Sequence, residues 1–120
     1  MGFFQEANNL YNRRNYNEAL NYYEKAIEIK ENLSCSYFNA GVCAIKMKNY
    51  SVSIKYLEKA ITLSKESKYF FNLAYSYAML NKLKKALLYF NLAWALDNKD
   101  FDCEKAINLI LKKISRDTKR

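Results

Sequence analysis

The sequence predicts an all-α, helical-repeat solenoid of about seven helices, and three observations carry that expectation. The 120 residues contain no Pro and only two Gly, whereas turn-rich sandwiches and barrels need both. Three stretches, starting at Phe3, Tyr37 and Phe70, align with one another at offsets of 34 and 33 residues. Within each stretch the apolar residues fall at helical spacing, interrupted once by a short polar turn.

The matched positions justify each element in order. In the first helix of each pair a small residue recurs as Ala7, Gly41 and Ala74. The turns fall at 12–15, 46–49 and 81–82, followed by Tyr16, Tyr50 and Leu83. The second helix then repeats small–bulky–small: Ala19/Tyr23/Ala26, Ser53/Leu57/Ala60 and Ala86/Phe90/Ala93. Small side chains belong where two helices cross closely, and bulky ones fill the spaces between crossings. Ile27, Ile61 and Trp94 stand ready to cover the helix that follows, and Ser34, Ser51 and Asp100 are expected as N-caps. A last amphipathic stretch carries Phe101, Ala106, Ile107, Ile110, Leu111 and Ile114 along one side, as expected of a terminal helix that closes a solenoid.

This pattern resembles the tetratricopeptide repeat (TPR), and the resemblance covers about residues 2–98. The family's aromatic–small–bulky series in the first helix is present as Phe3/Ala7/Leu10, Tyr37/Gly41/Ala44 and Phe70/Ala74/Tyr77. The proline that usually closes a repeat is replaced by Glu31, Lys65 and Asn98. The resemblance implies a right-handed stack forming a single domain over 1–120. Its repeats would be 2–33, 36–66 and 69–98, with a capping helix at 100–115 and a basic tail at 116–120.

Composition narrows the function. Without histidine there is no His-based catalytic base, and two glycines cannot form a phosphate-cradling loop. The expectation is no enzyme, no cofactor and no metal. Cys35, Cys43 and Cys103 form no C-x-x-C pair and are expected as reduced thiols near helix packing. The N-terminal residues have neither the basic start nor the apolar run of a signal peptide, and no apolar stretch could span a bilayer. A cytoplasmic or otherwise intracellular setting is therefore expected.

In the family the first helix of each repeat lines a concave surface. The resemblance places Phe4, Gln5, Asn8, Tyr11 and Asn12 there from the first repeat. The second contributes Phe38, Asn39, Val42, Ile45 and Lys46, and the third Lys68, Phe71, Asn72, Tyr75 and Met79. Phe4, Phe38 and Phe71 are equivalent, as are Gln5, Asn39 and Asn72. A row of amides can pair with the backbone of an extended peptide, and adjacent rings supply apolar contact at little entropic cost. The expected role is a scaffold or adaptor that binds a peptide segment or helix of a partner protein. Some relatives clamp the carboxylates of chaperone C-termini. Asn8, Asn39 and Lys68 match that clamp, but Phe4 and Asn72 stand where Lys and Arg would be.

The net charge of +8 raises nucleic acid as the alternative partner. Most cations, however, lie on second helices, in turns or in the tail, so neither nucleic acid nor membrane is the expected partner. A self-associating module, in which exposed aromatics bury themselves in a second copy, is the remaining reading.

Overall fold

The computed structural model describes residues 2–118, in seven helices. They are α1 (Phe3–Asn12), α2 (Tyr16–Glu28), α3 (Leu33–Lys46), α4 (Tyr50–Leu63), α5 (Ser67–Met79), α6 (Leu83–Leu96) and α7 (Phe101–Thr118). No strand occurs among the described residues. The chain divides into two units, one ending at Ser64 and one beginning at Lys65. In the first, α1 packs on α2, α2 on α3 and α3 on α4; in the second, α5 packs on α6 and α6 on α7.

Each helix pair turns by the same device. At the end of α1 the Arg14 amide donates to the Tyr11 carbonyl at 2.9 Å and the Asn15 amide to Leu10 at 2.9 Å. The ends of α3 and α5 repeat this through Lys48→Ile45 with Asn49→Ala44, and Asn81→Ala78 with Lys82→Tyr77. The end of α2 does likewise through Lys30 and Glu31. This two-bond closure satisfies the last carbonyls of a helix and requires one residue in the left-handed region, usually glycine. Here Arg14, Lys48, Asn81 and Lys30 occupy it, with φ of 63°, 59°, 59° and 59°. A β-carbon in that conformation costs about 1–2 kcal/mol, less for Asn. Arg14→Gly and Lys48→Gly are therefore expected to stabilise the first unit by about 1 kcal/mol each, after allowing for the freer unfolded chain. Urea denaturation measures this, and an unchanged or lowered midpoint would count against strain at these turns.

The small residues sit where the repeat pattern assigns them. Ala7, Ala19, Ala26, Ala40, Ala44 and Ala60 are all fully buried in the first unit, as are Ala74, Ala86 and Ala93 in the second. Gly41 is buried as well, and a β-carbon there would lie 2.7 Å from Leu57 Cγ. In the second unit Tyr89 stacks on Tyr77 at 5.6 Å and on Phe70 at 6.3 Å. Two buried serines bond locally, Ser36 Oγ donating to the Glu31 carbonyl at 2.8 Å and Ser76 Oγ to the Asn72 carbonyl at 3.1 Å. Among the described residues no buried side-chain nitrogen or oxygen lacks a hydrogen-bond partner.

The replacement of proline by Glu31 has a structural consequence. Its carboxylate accepts from the Phe4 amide at 2.5 Å, so it caps the start of α1 from 27 residues away. Gly2 offers no side chain of its own for that purpose, and a β-carbon there would run into the same carboxylate.

The N-cap expectations are met once and corrected twice. Asp100 Oδ1 accepts from the amides of Asp102 at 2.9 Å and Cys103 at 3.4 Å, capping α7. Ser34 falls inside the first turn of α3, because left-handed residues Lys30 and Asn32 reverse the chain early enough for the helix to begin at Leu33. Ser51 is likewise inside α4, where the Asn49 side chain accepts from the Val52 amide at 3.4 Å. At the other end, α7 continues to Thr118, past the expected limit at 115. Lys119 and Arg120 of the expected basic tail lie outside the described residues.

Candidate functional site

The expected binding residues fall on α1 and α3 of the first unit and on α5 of the second. On the first unit the focus is Asn8. Its Oδ1 accepts from the Tyr23 hydroxyl at 2.5 Å and from Asn39 Nδ2 at 3.4 Å, joining α1, α2 and α3. Burial holds the Tyr23 hydroxyl well above the ordinary tyrosine range; Cys43 adds to this and the Asn39 hydrogen bond opposes it. The hydroxyl therefore stays protonated and serves Asn8 as a donor.

Around this polar cluster lie half-buried rings. Phe4 meets Tyr23 edge-on at 6.0 Å, and Tyr11 meets Tyr16 edge-on at 5.3 Å. Phe38, Val42 and Ile45 are half-buried on α3, while Asn12 and Lys46 are exposed at their helix ends. Gln5 is exposed and turns along its own helix, donating to Asn9 Oδ1 at 3.3 Å.

On α5 the ring geometry recurs: Phe71 meets Phe90 edge-on at 5.3 Å, the relation that Phe4 has with Tyr23. The amide does not follow suit. Asn72 Nδ2 donates to its own helix, to the Lys68 carbonyl at 2.8 Å. The three equivalent amides thus hold three different partners, and only Asn39 bonds across to another helix. Lys68, Tyr75 and Met79 are exposed along α5.

An amide has two donor hydrogens and two acceptor lone pairs, so each of these side chains retains capacity for a ligand. The rings, anchored at one edge against a second helix, can offer the other edge without losing rotamer freedom. Such a face suits apolar side chains flanked by backbone amides.

In the sequence pattern Tyr23 stands only as a bulky filler. The signal for its polar role is that its counterparts are Leu57 and Phe90, neither of which has a hydroxyl. The outer faces of the second helices hold other features. Lys25 Nζ lies 4.5 Å over the Tyr22 ring, and the Tyr56 hydroxyl donates to Glu24. Open hollows of about 590 Å³ and about 470 Å³ lie at matched places on α2 (Asn21, Glu24, Lys25, Ile27, Glu28) and α4 (Lys55, Glu58, Lys59, Thr62). Their rims alternate acid and base, as solvated helix faces do.

Among the described residues no group of three or more Cys, Asp or Glu side chains is placed to hold a metal ion, and no helix is long and apolar enough to cross a membrane. All three cysteines are free thiols; Cys43 and Cys103 are buried, while Cys35 is exposed. Burial pushes the Cys43 thiol up from 9.0 to about 12. A thiol kept neutral in the fold stabilises it fully below 9.0, and that contribution is lost as pH rises from there toward about 12. Denaturant titrations of the wild type and Cys43→Ala across this window should show the steeper alkaline loss in the wild type; parallel losses would count against it.

Comparison with known proteins bears on the repeat and the fold. Family models described as "Tetratricopeptide repeat" match residues 1–33 and 36–67. No curated protein sequence matches the chain. Among solved structures, it is similar to the first TPR of Spaghetti (RPAP3) bound to the HSP90 peptide SRMEEVD. The TM-score is 0.91 at 17% identity, covering 94% of this chain and 90% of that one. The Sgt2 TPR domain from Aspergillus fumigatus gives 0.89 at 16% identity, covering 98% and 80%. The Yersinia enterocolitica type III secretion chaperone SycD, in complex with a peptide of the translocator YopD, gives 0.87 at 18% identity, covering 92% and 91%.

Proposed function

Because the chain belongs to the tetratricopeptide-repeat family, we propose that it is a protein-interaction scaffold that binds a peptide segment of a partner through its first-helix faces. The observation that carries this reading is the Asn8–Asn39 amide pair, oriented by Tyr23 and accompanied by the half-buried rings of Phe4 and Phe38. In an extended ligand, backbone groups would meet the amides and alternate side chains would meet the rings. Gln5, Tyr11, Asn12, Val42 and Lys46 would border that contact, and Lys68, Phe71, Asn72 and Tyr75 would provide a related one on α5. Two of the similar structures were solved with peptides, which supports this class of ligand.

The ligand proposed here does not depend on a terminal carboxylate. With Phe4 and Asn72 in place of cations, bidentate carboxylate pairing is missing. An internal segment with apolar side chains fits these residues better.

A peptide selected from a random library for binding to the wild-type chain provides the test. Asn39→Ala is expected to weaken that peptide by about tenfold, the value of one or two well-formed hydrogen bonds, and Phe38→Ala by at least as much. Circular dichroism should show helicity unchanged in both. Undiminished affinity in both folded variants would remove the α1/α3 face from consideration. Failure to select any peptide, with retention of RNA instead, would transfer the reading to the basic surface.

A further inference from the structure

The outward face of α6 departs from the pattern of the two earlier second helices. At matched positions α2 carries Asn21, Lys25 and Ile29, and α4 carries Lys55, Lys59 and Leu63. In α6 the same positions are Leu88, Leu92 and Leu96. These leucines recur every four residues on the side opposite the buried Leu83, Ala86, Phe90 and Ala93, and they are 53%, 39% and 50% exposed. A leucine stripe of this spacing presents a seam that another helix can cover.

The charges at the two ends of α6 say which helix. Lys82, Lys84 and Lys85 stand at its start, whereas beyond its end Asp97, Asp100 and, in the first turn of α7, Asp102 outnumber the one base, Lys99. Both ends oppose the helix macrodipole, which favours acids at the start and bases at the end. By contrast, α2 has Glu18 in its first turn and Lys25 in its last. A face that is basic at one end, acidic at the other and leucine-lined between is complementary to itself when turned end for end.

We propose that the Leu88/Leu92/Leu96 stripe is a self-association surface on which α6 of a second copy lies antiparallel, about a two-fold axis at Leu92. Leu88 of each copy then meets Leu96 of the other, and the two Leu92 side chains meet on the axis. Lys84 comes beside the other copy's Asp97 and Asp100, which outweigh the intervening Lys99. A parallel pair would set lysine against lysine, so the charge order selects the antiparallel arrangement. The patch is small, and the dimer is correspondingly weak, with a Kd of roughly 10–100 µM. It uses none of the first-helix residues assigned to peptide binding.

Sedimentation velocity over a concentration series tests this on the whole chain. The wild type should shift from monomer to dimer, and Leu92→Lys should weaken the dimer at least about a hundredfold, since both copies lose the contact. Lys84→Glu should weaken it about tenfold without unfolding the chain, because an acid at that helix end suits the dipole. Combining Lys84→Glu with Asp97→Lys should restore association, which a merely structural effect would not do. A wild type monomeric up to about 1 mM, or a dimer indifferent to Leu92→Lys, would overturn the proposal. Failure of the double reversal to rescue would equally overturn the antiparallel register.

Discussion

Replacing Tyr23 with alanine is expected to unfold the first unit. The ring is 1% exposed, lies among Ala7, Leu10, Ala19, Ala40 and Cys43, and meets Phe4 edge-on at 6.0 Å. Removing a buried aromatic ring costs about 3–5 kcal/mol. Domains of ordinary stability hold about 5–15 kcal/mol in total, and small ones lie toward the low end. Tyr23→Phe separates the two roles of the side chain. It keeps the ring and deletes only the bond to Asn8, which is expected to cost about 1 kcal/mol. Thermal melts followed by circular dichroism distinguish the two variants, with Cys43 alkylation reporting on the first unit itself. Equal stability of Tyr23→Ala and wild type would mean that the packing between α1, α2 and α3 is not what holds this unit together.

The second large effect concerns Gly41. Alanine is the better helix former by about 1 kcal/mol, so propensity alone makes Gly41→Ala stabilising. The structure reverses that sign. The added carbon would lie 2.7 Å from Leu57 Cγ and 2.9 Å from Leu57 Cδ2, and Leu57 is fully buried. Overpacking of this kind costs about 1–3 kcal/mol, so a net loss is expected. The two positions should also couple. In a Leu57→Ala background, Gly41→Ala is expected to become neutral or stabilising, and a double-mutant cycle measures the difference. Additive effects would show that α3 and α4 do not approach each other at this point.

These cases show what the sequence makes legible. The small-residue series of Ala7, Gly41 and Ala74, and of Ala26, Ala60 and Ala93, is visible because close helix crossings repeat at a fixed interval. Such crossings permit little besides Gly, Ala and Ser, so the series marks both helix pairing and register. The helix ends are less legible. Arg14 and Lys48 occupy left-handed positions that glycine would have announced, and nothing in their residue type signals the turn. The cap provided by Glu31 is hidden for a different reason, because its acceptor role depends on a contact with α1, 27 residues away.

The proposed binding face is legible in residue type more than in arrangement. Spacing put Gln5, Asn39 and Asn72 at one equivalent position, which suggested a uniform row. Side-chain amides, however, take the best local acceptor, and on α5 that is the Lys68 carbonyl, one turn back on the same helix. On α3 it is Asn8, which is itself oriented by Tyr23. At the position equivalent to Asn8 the second repeat carries Val42, which has no side-chain acceptor to offer Asn72.

The central claim, that a partner's peptide lies on the first-helix faces, is tested most directly by amide chemical-shift mapping of the isotope-labelled chain with the selected peptide. Shifts concentrated in the side-chain amides of Asn8 and Asn39 and the backbone around Phe38, with a weaker set near Phe71 and Asn72, are the expected result. Perturbations confined to the outer faces of α2 and α4, around Lys25 and Lys59, would contradict it and place the partner on the opposite side of these helices.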